Sequence, residues 1–151
     1  MRFGRVLALV AGGLALCIAL LLFAVYVTRD EDNIQADNLL AERFTREIAL
    51  APENNNGLVD LREVAPFEWD RALLVQAGTP RAAISKRLGR EWTGIDTVDG
   101  GDLLIFLKGK ENKVVRFADY RGRLLFTGFK RPFDVLPEQL RVEGPEIRAA
   151  R

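Results

Sequence analysis

The sequence predicts an α+β fold: an N-terminal transmembrane helix, then a small domain with two or three helices on one face of a three- to four-stranded, mainly antiparallel sheet. Three observations predict it. Residues 6–27 form an uncharged apolar run. Apolar residues then recur with helical spacing in two stretches, 37–50 and 80–88. From residue 92 onward the pattern changes to short apolar or alternating runs broken by turn residues, and helices followed by strands read as α+β.

The apolar run opens at Val6, closes at Val27 and reads VLALVAGGLALCIALLLFAVYV. As a helix it is roughly 33 Å long at 1.5 Å per residue, enough for a hydrocarbon core of about 30 Å. Arg2 and Arg5 precede it and the net-acidic Arg29-Asp30-Glu31-Asp32 follows it. Basic residues stay on the cytoplasmic side, so the expectation is a single pass through the cytoplasmic (inner) membrane, N-terminus inside and C-terminal domain outside. A cleaved signal peptide would have a shorter apolar region and a small-x-small site, which Ala24-Val25-Tyr26 does not provide. A lipoprotein would need a small residue where Leu16 precedes Cys17.

The expected organisation is a cytoplasmic terminus (1–5), a signal anchor (6–27), a stalk (28–36), an extracytoplasmic domain (37–143) and a loose tail (144–151). Residues 37–50 place Leu40, Phe44 and Ile48 on one stripe, with charges elsewhere, as an amphipathic helix requires. Residues 52–57, PENNNG, read as a loop. Leu58, Leu61 and Val64 suggest a helical turn, ended by Pro66. Residues 69–76 read as a strand, apolar without a break from Ala72 to Val75 and so covered on both faces. Gly78-Thr79-Pro80 marks a helix start with Thr79 as cap, and Gly89 a stop. Residues 92–98 alternate loosely. Residues 103–108 and 113–120 form a hairpin about Gly109 to Asn112, and 124–127 a short further strand.

Composition excludes several functions. The 48% hydrophobic content is too high for general disorder. Residues 34–151 carry 19 basic and 18 acidic side chains, without the basic excess of a nucleic-acid binder. Histidine is absent and Cys17 is the only cysteine, which removes imidazole chemistry, histidine-ligated zinc and any disulfide within the chain. No cofactor or metal is expected. Asp96, Asp99 and Asp102 with Gly100 and Gly101 lack the alternation and distal glutamate of a calcium loop. Ser85, the only serine, has no neighbour in sequence to activate it.

Candidate binding residues are Trp69, Asp70, Trp92, Arg116, Tyr120 and Arg121. Trp69 lies between Glu68 and Asp70, and the plainer account is that Trp69 packs inward while the acids face solvent. Residues 108–131 hold eight basic side chains against two acids, interleaved with Phe117, Tyr120, Phe126 and Phe129. Outside the cytoplasm that pattern suits anionic lipid or a cell-wall polymer. The alternative is a solvated face balanced by the acids of 91–102. Asp70 with Arg71 or Arg116 is the only constellation on which an enzyme reading can rest.

Residues 59–134 also carry a resemblance. PFEWDRALLV, TPRAAISKRLGREW, DLLIFLKGKENKVV and FKRPFD are similar to a family of small bacterial membrane-anchored proteins and lipoproteins. That family has an F-[DE]-W-D strand, here Phe67-Glu68-Trp69-Asp70, and an L-G-x-x-W element, here Leu88-Gly89 to Trp92. The chain departs from it at Ala77-Gly78, where the family tends to carry an aromatic. The resemblance implies an exported domain with no activity assigned. A weaker similarity, on AGTPRAAISKRLG, is to the small lipoprotein of the outer-membrane β-barrel assembly machinery, without that protein's proline after L-G or its lipobox. Together these readings imply two contacts, the lipid bilayer through residues 6–27 and an envelope protein partner. They imply an interaction or accessory module, or else a binder of anionic lipid or cell wall.

Overall fold

The computed structural model describes residues 13–14, 16–23, 36–54, 56–97 and 100–150. The chain divides into two compact units, residues 1–33 and 34–151. In the first, residues 13–14 and 16–23 are helical. Among the described residues no helix is long and apolar enough to cross a membrane, and the predicted span 6–27 extends beyond them on both sides. The predicted terminus 1–5 and most of the stalk likewise lie outside the described residues.

The second unit is α+β, built on two four-stranded sheets rather than one. Helix α1 (Asn38–Asn54) begins at Asp37, whose carboxylate accepts from the Leu40 N–H at 2.9 Å. Its buried stripe is Leu40, Phe44, Ile48 and Ala51. The helix continues through Pro52, where the sequence predicts a loop. The lost backbone bond is outweighed because Ala51 reaches the core and its carbonyl accepts from the Gly57 N–H at 2.9 Å. Strand β1 (Leu58–Asp60) leads into a single turn, α2 (Leu61–Val64), capped by Asp60.

Strand β2 (Arg71–Val75) and helix α3 (Arg81–Leu88) follow. Thr79 does not cap α3. Its hydroxyl donates to the Gln76 carbonyl, Pro80 stands at the cap position, and Gly89 ends the helix at φ 72°. Residues 92–97, predicted to be extended, form no strand; Trp92 folds inward there instead. Strands β3 (Asp102–Lys108) and β4 (Lys113–Tyr120) form the predicted hairpin. Then come β5 (Leu125–Phe126), β6 (Phe133–Leu136), β7 (Gln139–Glu143) and β8 (Glu146–Ala149).

The first sheet runs β4-β3-β2-β6 and is antiparallel throughout. Its two central strands are apolar without a break because both faces are covered. Ala72, Leu74, Leu104 and Phe106 point into one core, with α1, α2 and the second sheet. Leu73, Val75, Leu103, Ile105 and Leu107 point into the other, under α3 and Trp92. Helices therefore lie on both faces of this sheet, not on one. A bulge between Phe106 and Leu107 leaves Val115 without a register partner. It explains why Val114 and Phe117, three residues apart, share a core.

The second sheet runs β1-β7-β8-β5, with β5 parallel to β8 and the other pairs antiparallel. The segment expected to be a loose tail supplies β8, which pairs on both sides. Ile147 is fully buried there, and that apolar contact holds the strand in place.

Candidate functional site

The six residues predicted to bind do not converge on one site. Trp69 is buried against Phe106, ring centroids 5.3 Å apart, and its Nε1–H donates to the Ala65 carbonyl at 3.1 Å. Trp92 is buried on the opposite side of the first sheet, edge-on to Phe117 at 4.9 Å, with Nε1–H donating to the Ile95 carbonyl. Its fit is close: a Cβ on Gly94 would lie 2.2 Å from the indole ring. Tyr120 is buried between Phe44 and Phe126, and burial pushes its hydroxyl pKa up. These three rings are core, because each fills a gap between layers that only a large side chain closes. The single serine is structural too: Ser85 Oγ donates to the Arg81 carbonyl and accepts from the Trp92 N–H.

The polar candidates have local partners. Asp70 Oδ2 accepts from the Gly109 N–H at 2.6 Å, bracing the β3–β4 turn, while the neighbouring Arg71 donates to Asn112 Oδ1 and the Gly109 carbonyl. Arg121 pairs with Asp119. In the basic stretch 108–131, Lys108 pairs with Glu68 and Arg116 with Asp37. Three of the basic side chains are thus balanced by Glu68 and Asp37, brought in from other segments, and by Asp119 of β4 itself. In the acidic stretch 91–102, Asp102 Oδ1 accepts from the Ala77 N–H, and Asp99 lies outside the described residues. Among the described residues no group of three metal-ligating side chains occurs.

Two of the candidates do come together, through residues that sequence reasoning passed over. Arg116 lies over the half-buried Phe67 ring at 4.8 Å, and Arg62 lies over Trp69 at 3.7 Å. Phe67 and Trp69 both pack edge-on against Phe106, the cross-strand partner of Arg116. The result is a row: Arg62, Trp69, Phe106, Phe67, Arg116. Both guanidiniums are held at their far side. Arg62 donates twice to Glu138 Oε1, at 3.0 and 2.7 Å, and once to the Trp69 carbonyl at 2.7 Å. Arg116 donates to Asp37 at 2.6 Å. Burial opposes ionisation of Asp37, but the Leu40 N–H and the Arg116 guanidinium outweigh it and hold its carboxyl below the ordinary value. Lys108 keeps the exposed Glu68 below its ordinary value, and Lys108 itself is raised by Glu68.

A second feature lies on the outer face of the second sheet, partly on β8, the strand formed by the segment expected to be loose. Thr127, Gly128, Arg141, Glu143, Arg148 and Ala149 line an open groove of about 650 Å³. Arg141 and Arg148 stand directly opposite each other across β7 and β8, and Glu143 opposes Glu146 in the next pair on the same face. The signal was present in sequence: QLRVE and EIRA alternate charged and apolar residues about Gly144-Pro145. Compared with models of protein families, with curated proteins and with solved structures, the chain matches none.

Proposed function

We propose that the chain is a membrane-tethered, non-enzymatic interaction module of the bacterial envelope. Its folded unit lies outside the cytoplasm and contacts a protein partner through the surface around Phe67, Glu68, Lys108 and Arg116. The observation that carries this reading is the ordering of Arg62 and Arg116 on aromatic faces. Association costs the entropy of each side chain it immobilises, and these two arginines have already lost theirs on folding. A half-buried phenylalanine under a stacked arginine, with a second arginine held on Trp69 further along the row, has the composition of an interface centre. Glu68 and Lys108 supply a charged rim.

Two further points support it. Among the described residues of the N-terminal helix, seven large apolar side chains between Leu14 and Phe23 are each at least 50% exposed, and a helix apolar all round belongs in lipid or in a core. In the folded unit Asp70 braces the β3–β4 turn and Ser85 braces the segment before Trp92.

Crosslinking of the full-length protein in native membranes tests the reading. Phe67→Ala and Arg116→Ala, with circular dichroism unchanged, are expected to lose a partner that the wild type captures and that Lys130→Ala retains. A partner kept by both variants refutes the assigned surface.

A further inference from the structure

We propose that the groove on the outer face of the second sheet binds a phosphate group between Arg141 and Arg148. The inference does not depend on the interaction surface proposed above, which lies on other residues.

The argument starts from register. Antiparallel pairing of β7 and β8 sets Arg141 against Arg148 and Glu143 against Glu146, while Val142 and Ile147 between them face the core. Directly opposed side chains of one charge destabilise a sheet. Arginine opposite glutamate would satisfy both rows, and this face has the reverse arrangement. The neutralisation that remains runs along each strand and is uneven. Arg148 is in close contact with Glu146. Arg141 reaches Glu143 only at 3.9 Å and donates no hydrogen bond among the described residues.

The groove gives this pair a setting. Arg148 Nε–H donates to Thr127 Oγ1 at 3.3 Å, which places a hydroxyl beside that guanidinium. Gly128, at φ 80°, turns the chain out of the sheet next to them. The lining thus holds two guanidiniums and a hydroxyl with Glu143, while Glu146 pairs with Arg148 from beside it, so Arg141 is the guanidinium without a close carboxylate. A tetrahedral oxyanion accepts from the Arg141 fork and from the Arg148 amino group that neither Glu146 nor Thr127 engages, and removes the repulsion between the two charges. A lone carboxylate has fewer oxygens to share between two forks. The same phosphate chemistry is found in a lipid headgroup and in free phosphate, and the test separates them.

The full-length protein in micelles of a neutral detergent would be titrated with sodium phosphate against sodium chloride at constant ionic strength. The arginine Nε–H resonances are the readout. Saturable movement of the Arg141 and Arg148 signals is expected, weakened about tenfold in Arg141→Gln or Arg148→Gln, as loss of one charge-assisted contact implies. Glu143→Gln, which removes the carboxylate that competes for Arg141, is expected to tighten binding. A purely structural salt network predicts no such gain. A parallel titration with glycerophosphate identifies the source: tighter binding than phosphate assigns a lipid headgroup, weaker binding assigns free phosphate. Movement that chloride reproduces, or saturable binding unaltered by all three variants, overturns the proposal.

Discussion

Trp69→Ala distinguishes a core tryptophan from a binding one. In the structure the ring is 4% exposed, packs against Phe106 and lies under Arg62. Truncating a buried tryptophan costs about 3–5 kcal/mol in transfer and cavity terms. Losing the Arg62 stack adds ~0.5–1 kcal/mol, because that guanidinium is partly exposed. The Ala65 carbonyl is not orphaned, since it also accepts from the Phe67 N–H at 2.9 Å, so no desolvation penalty is added. The expected loss is about 5 kcal/mol, a large share of the 5–15 kcal/mol typical of a folded domain. Guanidinium unfolding of the full-length protein in neutral micelles, followed by tryptophan fluorescence from Trp92 and by circular dichroism, measures it. A lowered midpoint with unchanged slope is expected. A loss below about 1 kcal/mol refutes the packing and returns Trp69 to the surface.

Gly94→Ala is expected to destabilise by about 2–4 kcal/mol, because the new methyl displaces the Trp92 ring from both Ile95 and Phe117; chemical unfolding measures it, and because Gly94 is not at positive φ the loss reports the clash. Asp37→Asn keeps the helix cap and removes the charge paired with Arg116. The folded-state pKa of Asp37 is lowered, so its contribution is fully present above the ordinary value of 3.8 and is lost as pH falls through the folded-state value. The stability gap between wild type and Asp37→Asn is therefore expected at pH 7 and should close below pH 3.8, as read by unfolding at a series of pH values. Asp134→Ala is expected to raise self-association at high concentration. Asp134 Oδ1 accepts from the Val135 N–H on the edge strand β6, which Pro132 and Pro137 also flank, and light scattering reports whether uncovering that donor opens the edge.

Much of the folded unit was legible in the sequence because its signals are local. The stripe of α1, the Gly89 stop of α3, the uninterrupted apolar strand β2 and the β3–β4 hairpin all follow from periodicity and turn chemistry within about ten residues. Residues 146–149 form a strand where the sequence suggests a loose tail, because charge and a Gly-Pro pair near a terminus look like a frayed end although the alternation is clean. Residues 92–97 were misread in the opposite sense, because the burial of Trp92 overrides a loose alternation.

The candidate sites were less legible, for a different reason. Sequence alone marks Trp69 and Trp92 as prominent and residues 108–131 as basic; it also settles the absence of histidine and the near-neutral charge of residues 34–151. Only the tertiary structure decided that both tryptophans are core, that Asp37, Glu68 and Asp119 take up three of the basic side chains, and that Arg62 and Arg116 lie on aromatic faces. Only strand register set Arg141 against Arg148. Local propensity and hydrophobic period are properties of neighbouring residues and survive in a string of letters. Which charge meets which, and which ring is covered, depends on segments such as Asp37 and Arg116, far apart in the chain and joined only by the packing of the layers between them.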